Sequence, residues 1–125
     1  MSEIKLYRDL EIWKRSKALA VRIYKSTENF PNSEIYGLTS QIRRAAVSIP
    51  SNIAEGSRRI SIKEKSRFPK TSFGSGAELE TQLEIALDLD YLKKDVYESL
   101  AGELEEIMKM LNVTIRRLST AEDDS

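Results

Sequence analysis

The chain has 125 residues, of which 40% are hydrophobic, and its 20 basic and 20 acidic side chains give a net charge of zero. At this length we expect one domain with a single core. The chain contains neither cysteine nor histidine. This composition excludes disulfides and thiol chemistry, and it removes the commonest metal ligand and the commonest general base at neutral pH.

The N-terminal stretch MSEIKLYRDLEIWKRSK is charged throughout and lacks the apolar segment of a signal peptide. No apolar run approaches the ~18 residues that a membrane-spanning helix needs. Together with the lack of cysteine, these features predict a cytoplasmic protein without a membrane partner.

The first predicted helix spans about residues 7–29. Its apolar residues recur at steps of three and four, which is the period of one helix face. The stripe consists of Leu6, Leu10, Trp13, Ala20, Val21 and Tyr24, and it is broadened by Ile12, Leu19 and Ile23. We therefore expect this helix to be covered on two sides. Phe30-Pro31 ends it, because proline disfavours the helical conformation in the preceding residue.

The second predicted helix spans about residues 33–55, with Asn32 or Ser33 as its N-cap. One narrow face carries the residues Ile35, Leu38, Ile42, Ala45, Ala46, Ile49 and Ile53. Because the face is narrow and carries the small residues Ala45 and Ala46, we expect another helix to approach closely along it.

Pro50 lies inside this pattern and predicts a bend, since it removes one backbone donor. Asn52 and Glu55 follow it, and we expect them to hydrogen-bond backbone groups freed at the bend or a neighbouring subunit. Gly56 is predicted to cap the helix at its C-terminus.

The third predicted helix spans about residues 61–92 and opens with a capping box, Ser61 to Glu64. Pro69, Gly74 and Gly76 all weaken helices. A second capping box begins at Ser75. Two interpretations remain open: one continuous helix, or a break near residues 69–75 with a restart at Ser75.

The fourth predicted helix spans about residues 95–119, after a short connection at residues 93–94. No strand pattern occurs in the sequence. Four long amphipathic helices with short connections predict an all-α, antiparallel up-down-up-down four-helix bundle. The apolar stripes on helices 1, 3 and 4 exceed what one bundle core needs, so we expect self-association.

The zero net charge conceals a strong asymmetry. Residues 41–70 contain eight basic and two acidic side chains, whereas residues 71–106 contain ten acids and two lysines. The basic side chains are candidates for binding the phosphates of a nucleic acid. They are Arg43, Arg44, Arg58, Arg59, Lys63, Lys65, Arg67 and Lys70. Alternatively, the two sets of charges attract each other within one subunit or across an interface.

The sequence predicts no catalytic, metal or cofactor site. Glu80 and Glu84 lie one turn apart and could both face a cation, but metal sites in helix bundles normally add histidine. Ser48, Ser51 and Ser57 lack a histidine base. No glycine-rich loop follows a strand, so a phosphate-binding loop and a small-molecule substrate are not expected either.

Two runs, YGLTSQIRRAAVSIPSNIAEGSRR and GSGAELETQLEIALDLDYL, resemble the bacterial four helix bundle protein family, also called the 23S rRNA intervening-sequence protein family. The resemblance extends over nearly the whole chain. It implies a bundle that assembles as a homopentamer around a central channel. A related family, the accessory protein of diversity-generating retroelements, is a similar pentamer that binds nucleic acid. The resemblance implies no enzymatic activity.

The chain departs from the family pattern at two places. Family members usually continue helix 3 with aliphatic residues where this chain has residues 68–71, and they usually have glycine where it has Asp90. Sequence and resemblance together predict a non-catalytic homo-oligomer that binds nucleic acid, either RNA or DNA, with RNA favoured. The alternative is a protein-interaction scaffold whose charged residues serve self-assembly.

Overall fold

The computed structural model describes Tyr7 and residues 10–124. The four α-helices are α1 (Glu11–Ser26), α2 (Leu38–Ser57), α3 (Ile62–Asp88) and α4 (Lys94–Asp124). A 3-10 turn, Asn32–Glu34, precedes α2. No strand occurs in this part of the chain, which confirms the all-helical prediction. Of the helices described, none is long and apolar enough to cross a bilayer.

Consecutive helices pack side by side and α1 also packs on α4, so that α1 lies diagonally across from α3 and α2 from α4. Neighbouring helices are antiparallel. Between α2 and α3, for example, the contacts move towards the start of α3 as they advance along α2. Ser48 Oγ lies 2.8 Å from Ser75 Oγ. Nearer the α2–α3 turn, Ser72 Oγ donates to the carbonyl of Ile49 at 2.9 Å. The α2–α3 turn therefore lies at one end of the bundle and the α3–α4 turn at the other.

The core is a continuous aliphatic cluster to which all four helices contribute. Its largest fully buried side chains are Leu19, Ile23, Ile42, Ile49, Leu79, Leu83, Leu100, Leu104, Ile107 and Leu111. Burying each such side chain contributes about 1.5–3 kcal/mol. Only some of the apolar residues predicted to form the stripe of α1 are buried. Leu19 faces the core, whereas Val21 and Tyr24 are exposed.

The first two helices begin later than predicted. α1 starts at Glu11; the prediction for Leu6 lies outside the described residues. α2 starts at Leu38 rather than near residue 33, because residues 32–34 form the 3-10 turn. The Glu34 carboxylate accepts the N–H of Leu38 at 3.0 Å. A free backbone N–H at the start of α2 is therefore bonded by the Glu34 carboxylate and not by the predicted Asn32 or Ser33 side chain.

α2 is continuous across Pro50. Asn52 Nδ2 donates to the carbonyl of Ser48 at 2.8 Å and to its Oγ at 3.0 Å. Ser72 of α3 donates to the carbonyl of Ile49. Polar side chains thus bond the two backbone carbonyls directly before the proline. The carbonyl that Pro50 leaves without its helical donor is that of Ala46, four residues back, so the expected bonding of a freed group by Asn52 is not what is observed.

The prediction that Gly56 caps α2 is wrong. The helix continues to Ser57, and no glycine among the described residues has a positive φ. A Cβ atom added at Gly56 would lie 2.8 Å from Cβ of Phe68. Gly56 is therefore needed because α2 and α3 approach each other closely at this point.

α3 runs without a break through Pro69, Gly74 and Gly76, so the continuous interpretation is the one observed. Ser61 caps its start, accepting the N–H of Glu64 at 3.1 Å. No new helix begins at Ser75, whose hydroxyl contacts α2 instead.

The α3–α4 turn places Asp90 in the left-handed region, with φ of 61°. The Tyr91 N–H donates to the carbonyl of Ala86 at 2.9 Å, and the Asp90 N–H donates to that of Leu87 at 3.0 Å. This pair of bonds is the Schellman motif, in which glycine normally occupies the left-handed position. The departure from the family's glycine noted in the sequence is therefore a substitution at a position that favours glycine.

Candidate nucleic-acid interface

The eight predicted cations fall into two groups. Arg43 and Arg44 lie in the first half of α2. The other six surround the α2–α3 turn at one end of the bundle, and we call them the basic end: Arg58, Arg59, Lys63, Lys65, Arg67 and Lys70. Between residues 57 and 70 only one acid, Glu64, accompanies them.

Two members of the basic end are engaged by the protein itself. Arg59 Nη2 lies 2.6 Å from Glu55 Oε2, and its Cζ lies 4.9 Å from the centre of the Phe68 ring. Lys65 Nζ donates to the carbonyl of Ser57 in the last turn of α2 at 3.3 Å. These cations stabilise the end of α2, as lysine and arginine commonly do at helix C-termini.

The other four members, Arg58, Lys63, Arg67 and Lys70, have exposed side chains. Within the part of the chain that is described, none of them is ion-paired with a carboxylate. Lys63, Arg67 and Lys70 are spaced by four and three residues, so they share one face of α3. This face and Arg58 present cationic groups to solvent at a single end of the molecule.

All three arginines of the basic end rest on aromatic rings. The Arg67 Cζ lies 4.8 Å from the centre of the buried Phe68 ring, which also contacts Arg59. Arg58 Cζ lies 5.5 Å from the centre of the Tyr7 ring. Such stacking restricts the guanidinium groups and reduces the entropy lost when they bind an anion.

The charges of α3 oppose its helix dipole. Its first turn, at the positive end, carries Lys63 and Lys65 beside one acid, Glu64, and Asp88 lies in its last turn, at the negative end. Each lysine and Asp88 costs about 0.3–1 kcal/mol of helix stability, whereas Glu64 contributes a similar amount. Helix stability therefore does not account for this pattern, and the dipole adds to the positive potential at the basic end.

Arg43 is part of the packing between α1 and α2. Its Nε donates to Thr27 Oγ1 at 2.9 Å and its Nη2 to the carbonyl of Tyr24 at 3.2 Å. Arg44 is exposed and lies about 21 Å along α2 from Arg58. The structure thus separates this pair from the basic end.

Two further cations, Arg116 and Arg117, are exposed on the part of α4 that lies at the same end. This part of α4 lies at the basic end because its Thr114 and Leu118 line a cavity of about 180 Å³ together with Lys65. Sequence analysis missed these arginines because the charge count followed one contiguous segment. The acids of residues 71–106, by contrast, include no group able to hold a metal ion among the described residues.

A shallow apolar groove runs between α1 and α2 on the outside of the bundle. We call it the α1–α2 groove, and it is lined by Lys17, Ala20, Val21, Tyr24, Lys25, Val47 and Pro50. It adjoins a second hollow on α1 that is lined by Trp13, Lys14, Lys17, Ala18 and Val21. Val21 is 48% exposed and Val47 41% exposed. Much of the surplus apolar surface predicted for helix 1 lies in this groove.

The fold and the site define an antiparallel four-helix bundle with a cluster of exposed cations at one of its ends. The chain belongs to the 23S rRNA-intervening sequence protein family, whose model matches residues 8–113. This match confirms the resemblance predicted from the two sequence runs.

Among solved structures, the chain is similar to a protein of unknown function from the S23 ribosomal protein family of Bacteroides thetaiotaomicron. The two share 28% sequence identity with a TM-score of 0.75, and the match covers 83% of this chain and 97% of that one. No curated protein matches the chain.

Proposed function

We propose that this protein is a non-catalytic, homo-oligomeric bundle that binds RNA through its basic end. The observation that carries the proposal is the set of four exposed cations, Arg58, Lys63, Arg67 and Lys70, which have no carboxylate partner among the described residues. The family description names 23S rRNA, and this supports RNA rather than DNA as the partner.

Phosphate contacts of this kind have a measurable signature. Each cation that neutralises a phosphate releases a counterion, so four contacts from one subunit give a slope of log K against log salt of about −3. Self-association multiplies the number of contacts, because every subunit repeats the same four cations. The proposed role of assembly is to present these cations together to one RNA molecule.

Fluorescence anisotropy with a structured RNA at about 50 and 200 mM salt tests the proposal. We expect the double variant Arg58→Ala/Arg67→Ala to weaken binding and to flatten the salt slope by about 1.5 for each subunit that contacts the RNA. The matched control, Lys93→Ala/Lys94→Ala, removes the same charge from exposed positions at the opposite end of the bundle. Absence of binding at low salt, or equal losses in the two double variants, contradicts the proposal.

A second candidate function, a protein-interaction scaffold, is favoured by Arg44, an exposed cation that lies far from the basic end. In this alternative the cations serve assembly and not RNA binding, so reversing the charge of Arg44 should dissociate the oligomer. Arg44→Glu is the informative change because Arg43 also bonds α1 within the subunit. Light scattering measures the mass, and RNA binding lost without any change in mass excludes the scaffold.

A further inference from the structure

Ile60 is an aliphatic side chain placed in the middle of the basic end. It is 95% exposed and lies in the turn between the C-cap of α2 at Arg58 and the N-cap of α3 at Ser61. Single exposed apolar residues are common on protein surfaces and need no explanation alone. The distinctive feature here is its position, with cations before and after it in the chain.

The backbone on both sides of Ile60 is held by hydrogen bonds. The Arg59 N–H donates to the carbonyl of Gly56 at 3.2 Å, which continues the last turn of α2. The carbonyl of Ser61 accepts the Lys65 N–H at 3.0 Å, and its hydroxyl caps α3. The turn therefore presents Ile60 at a fixed position relative to the neighbouring cations.

We propose that Ile60 packs against an unpaired base of the bound RNA while Arg58 and Lys63 contact the flanking phosphates. This inference rests on the proposed function and specifies the kind of RNA. Aliphatic side chains, isoleucine among them, are known to contact base faces where minor-groove DNA-binding proteins insert them between partly unstacked bases. An uninterrupted A-form duplex hides those faces, whereas loops, bulges and single-stranded ends expose them.

An anionic membrane is the other surface that suits cations beside an apolar residue. Peripheral membrane binding normally uses a helix with a broad apolar face. Ile60 instead stands alone on a short turn, and the exposed face of the adjoining α3 carries Lys63, Arg67 and Lys70. The geometry therefore favours a single apolar contact within a set of phosphate contacts.

The test compares Ile60→Ser with the control Tyr36→Ser. Tyr36 is 96% exposed, as Ile60 is, but it precedes α2 at the opposite end of the bundle. Anisotropy is measured with a hairpin RNA that has an unpaired loop and with a blunt duplex of equal length. We expect Ile60→Ser to weaken hairpin binding roughly 5- to 10-fold and to leave the salt slope unchanged. Duplex binding should change less than twofold, and Ile60→Leu should bind the hairpin as the wild type does.

The outcomes separate the inference from the function on which it rests. The role of Ile60 is overturned if Ile60→Ser leaves hairpin binding unchanged, or if it weakens binding to the hairpin and to the duplex equally. Either outcome leaves the phosphate contacts intact. A wild-type protein that binds neither RNA overturns both. Binding to phosphatidylserine vesicles that depends on Ile60, without an effect on RNA binding, assigns the residue to a membrane surface and also overturns the inference.

Discussion

Asp90 occupies a backbone conformation that glycine adopts at little cost. Its φ of 61° is unfavourable for residues with a Cβ atom, although aspartate tolerates it better than most. We expect Asp90→Gly to raise the free energy of unfolding by about 0.5–1 kcal/mol, because the lost strain exceeds the added freedom of the unfolded chain.

Urea denaturation measures this change. The matched control is Asp88→Gly, two residues earlier in the last turn of α3, where the slightly lower helix propensity of glycine and the loss of a charge that opposes the dipole should roughly cancel. A stabilisation by both substitutions, or by neither, contradicts the assignment of strain to Asp90.

At the same scale, one ion pair joins α1 to α4. Arg15 Nε and Nη2 donate to the two carboxylate oxygens of Glu103 at 2.9 and 2.7 Å. The hydrogen bond from Arg15 lowers the pKa of the Glu103 carboxyl, although its partial burial acts in the opposite direction. Because both side chains are partly exposed to screening solvent, we expect Glu103→Gln to cost only about 0.5–1 kcal/mol at neutral pH.

This cost should depend on pH in a defined direction. A carboxyl whose pKa is lowered by folding stabilises the native state fully above its unfolded value, about 4.3. The stabilisation is lost as the pH falls from there through the lower pKa of the folded protein. The difference in unfolding free energy between wild type and Glu103→Gln should therefore shrink on acidification, and a constant difference argues against the ion pair.

At the scale of helices, glycines mark where α3 meets its neighbours. A Cβ atom at Gly56 would meet Cβ of Phe68, which cannot move without the backbone. One at Gly76 would collide with Sδ of Met108, near the end of a flexible side chain that can move aside. We therefore expect Gly56→Ala to be the more destabilising change, by about 1–3 kcal/mol.

Gly102 provides the control, because a Cβ atom there has no neighbour within 4 Å. As an exposed position inside α4, it should gain about 0.5–1 kcal/mol on substitution by alanine. Chemical denaturation of the three variants gives the order directly. If Gly56→Ala were as stable as Gly102→Ala, the close approach of α2 and α3 would not be the reason for glycine.

Helix order and most of the core could be predicted from sequence, because a period of three and four residues records which side chains share a face. The period does not record what covers that face. Val21 follows the predicted stripe of α1 and yet is exposed, since the buried face is centred on Leu19 and Ile23.

The candidate site, too, could be predicted only in part from the spacing of residues in the sequence. The concentration of cations around the α2–α3 turn is visible in the sequence. The internal partners of Arg43 are not, because Thr27 and Tyr24 lie 16 and 19 residues away on another helix. The role of Gly56 was missed because it depends on the distance to Phe68.

At the scale of the whole molecule, the α1–α2 groove is the surface that we expect self-association to cover. Placing a charge at its centre with Val21→Lys should shift the mass measured by light scattering towards that of one subunit, because a further ammonium group beside Lys17 and Lys25 is costly to bury. Val113→Lys is the matched control, since Val113 is 39% exposed on α4, away from this groove. A mass that is unaffected by Val21→Lys, or equally reduced by both changes, excludes the groove as the interface.

The opposed charges of α3 have a consequence for any closed ring of these chains. Cyclic symmetry places equivalent atoms of every subunit at one height and one radius. Such a ring would therefore carry one circle of positive charge, from Lys63, Arg67 and Lys70, and a separate circle of negative charge near Glu84 and Asp88. A polyanion would be attracted to the first circle and repelled by the second, and this difference would favour its approach to the basic end of each subunit.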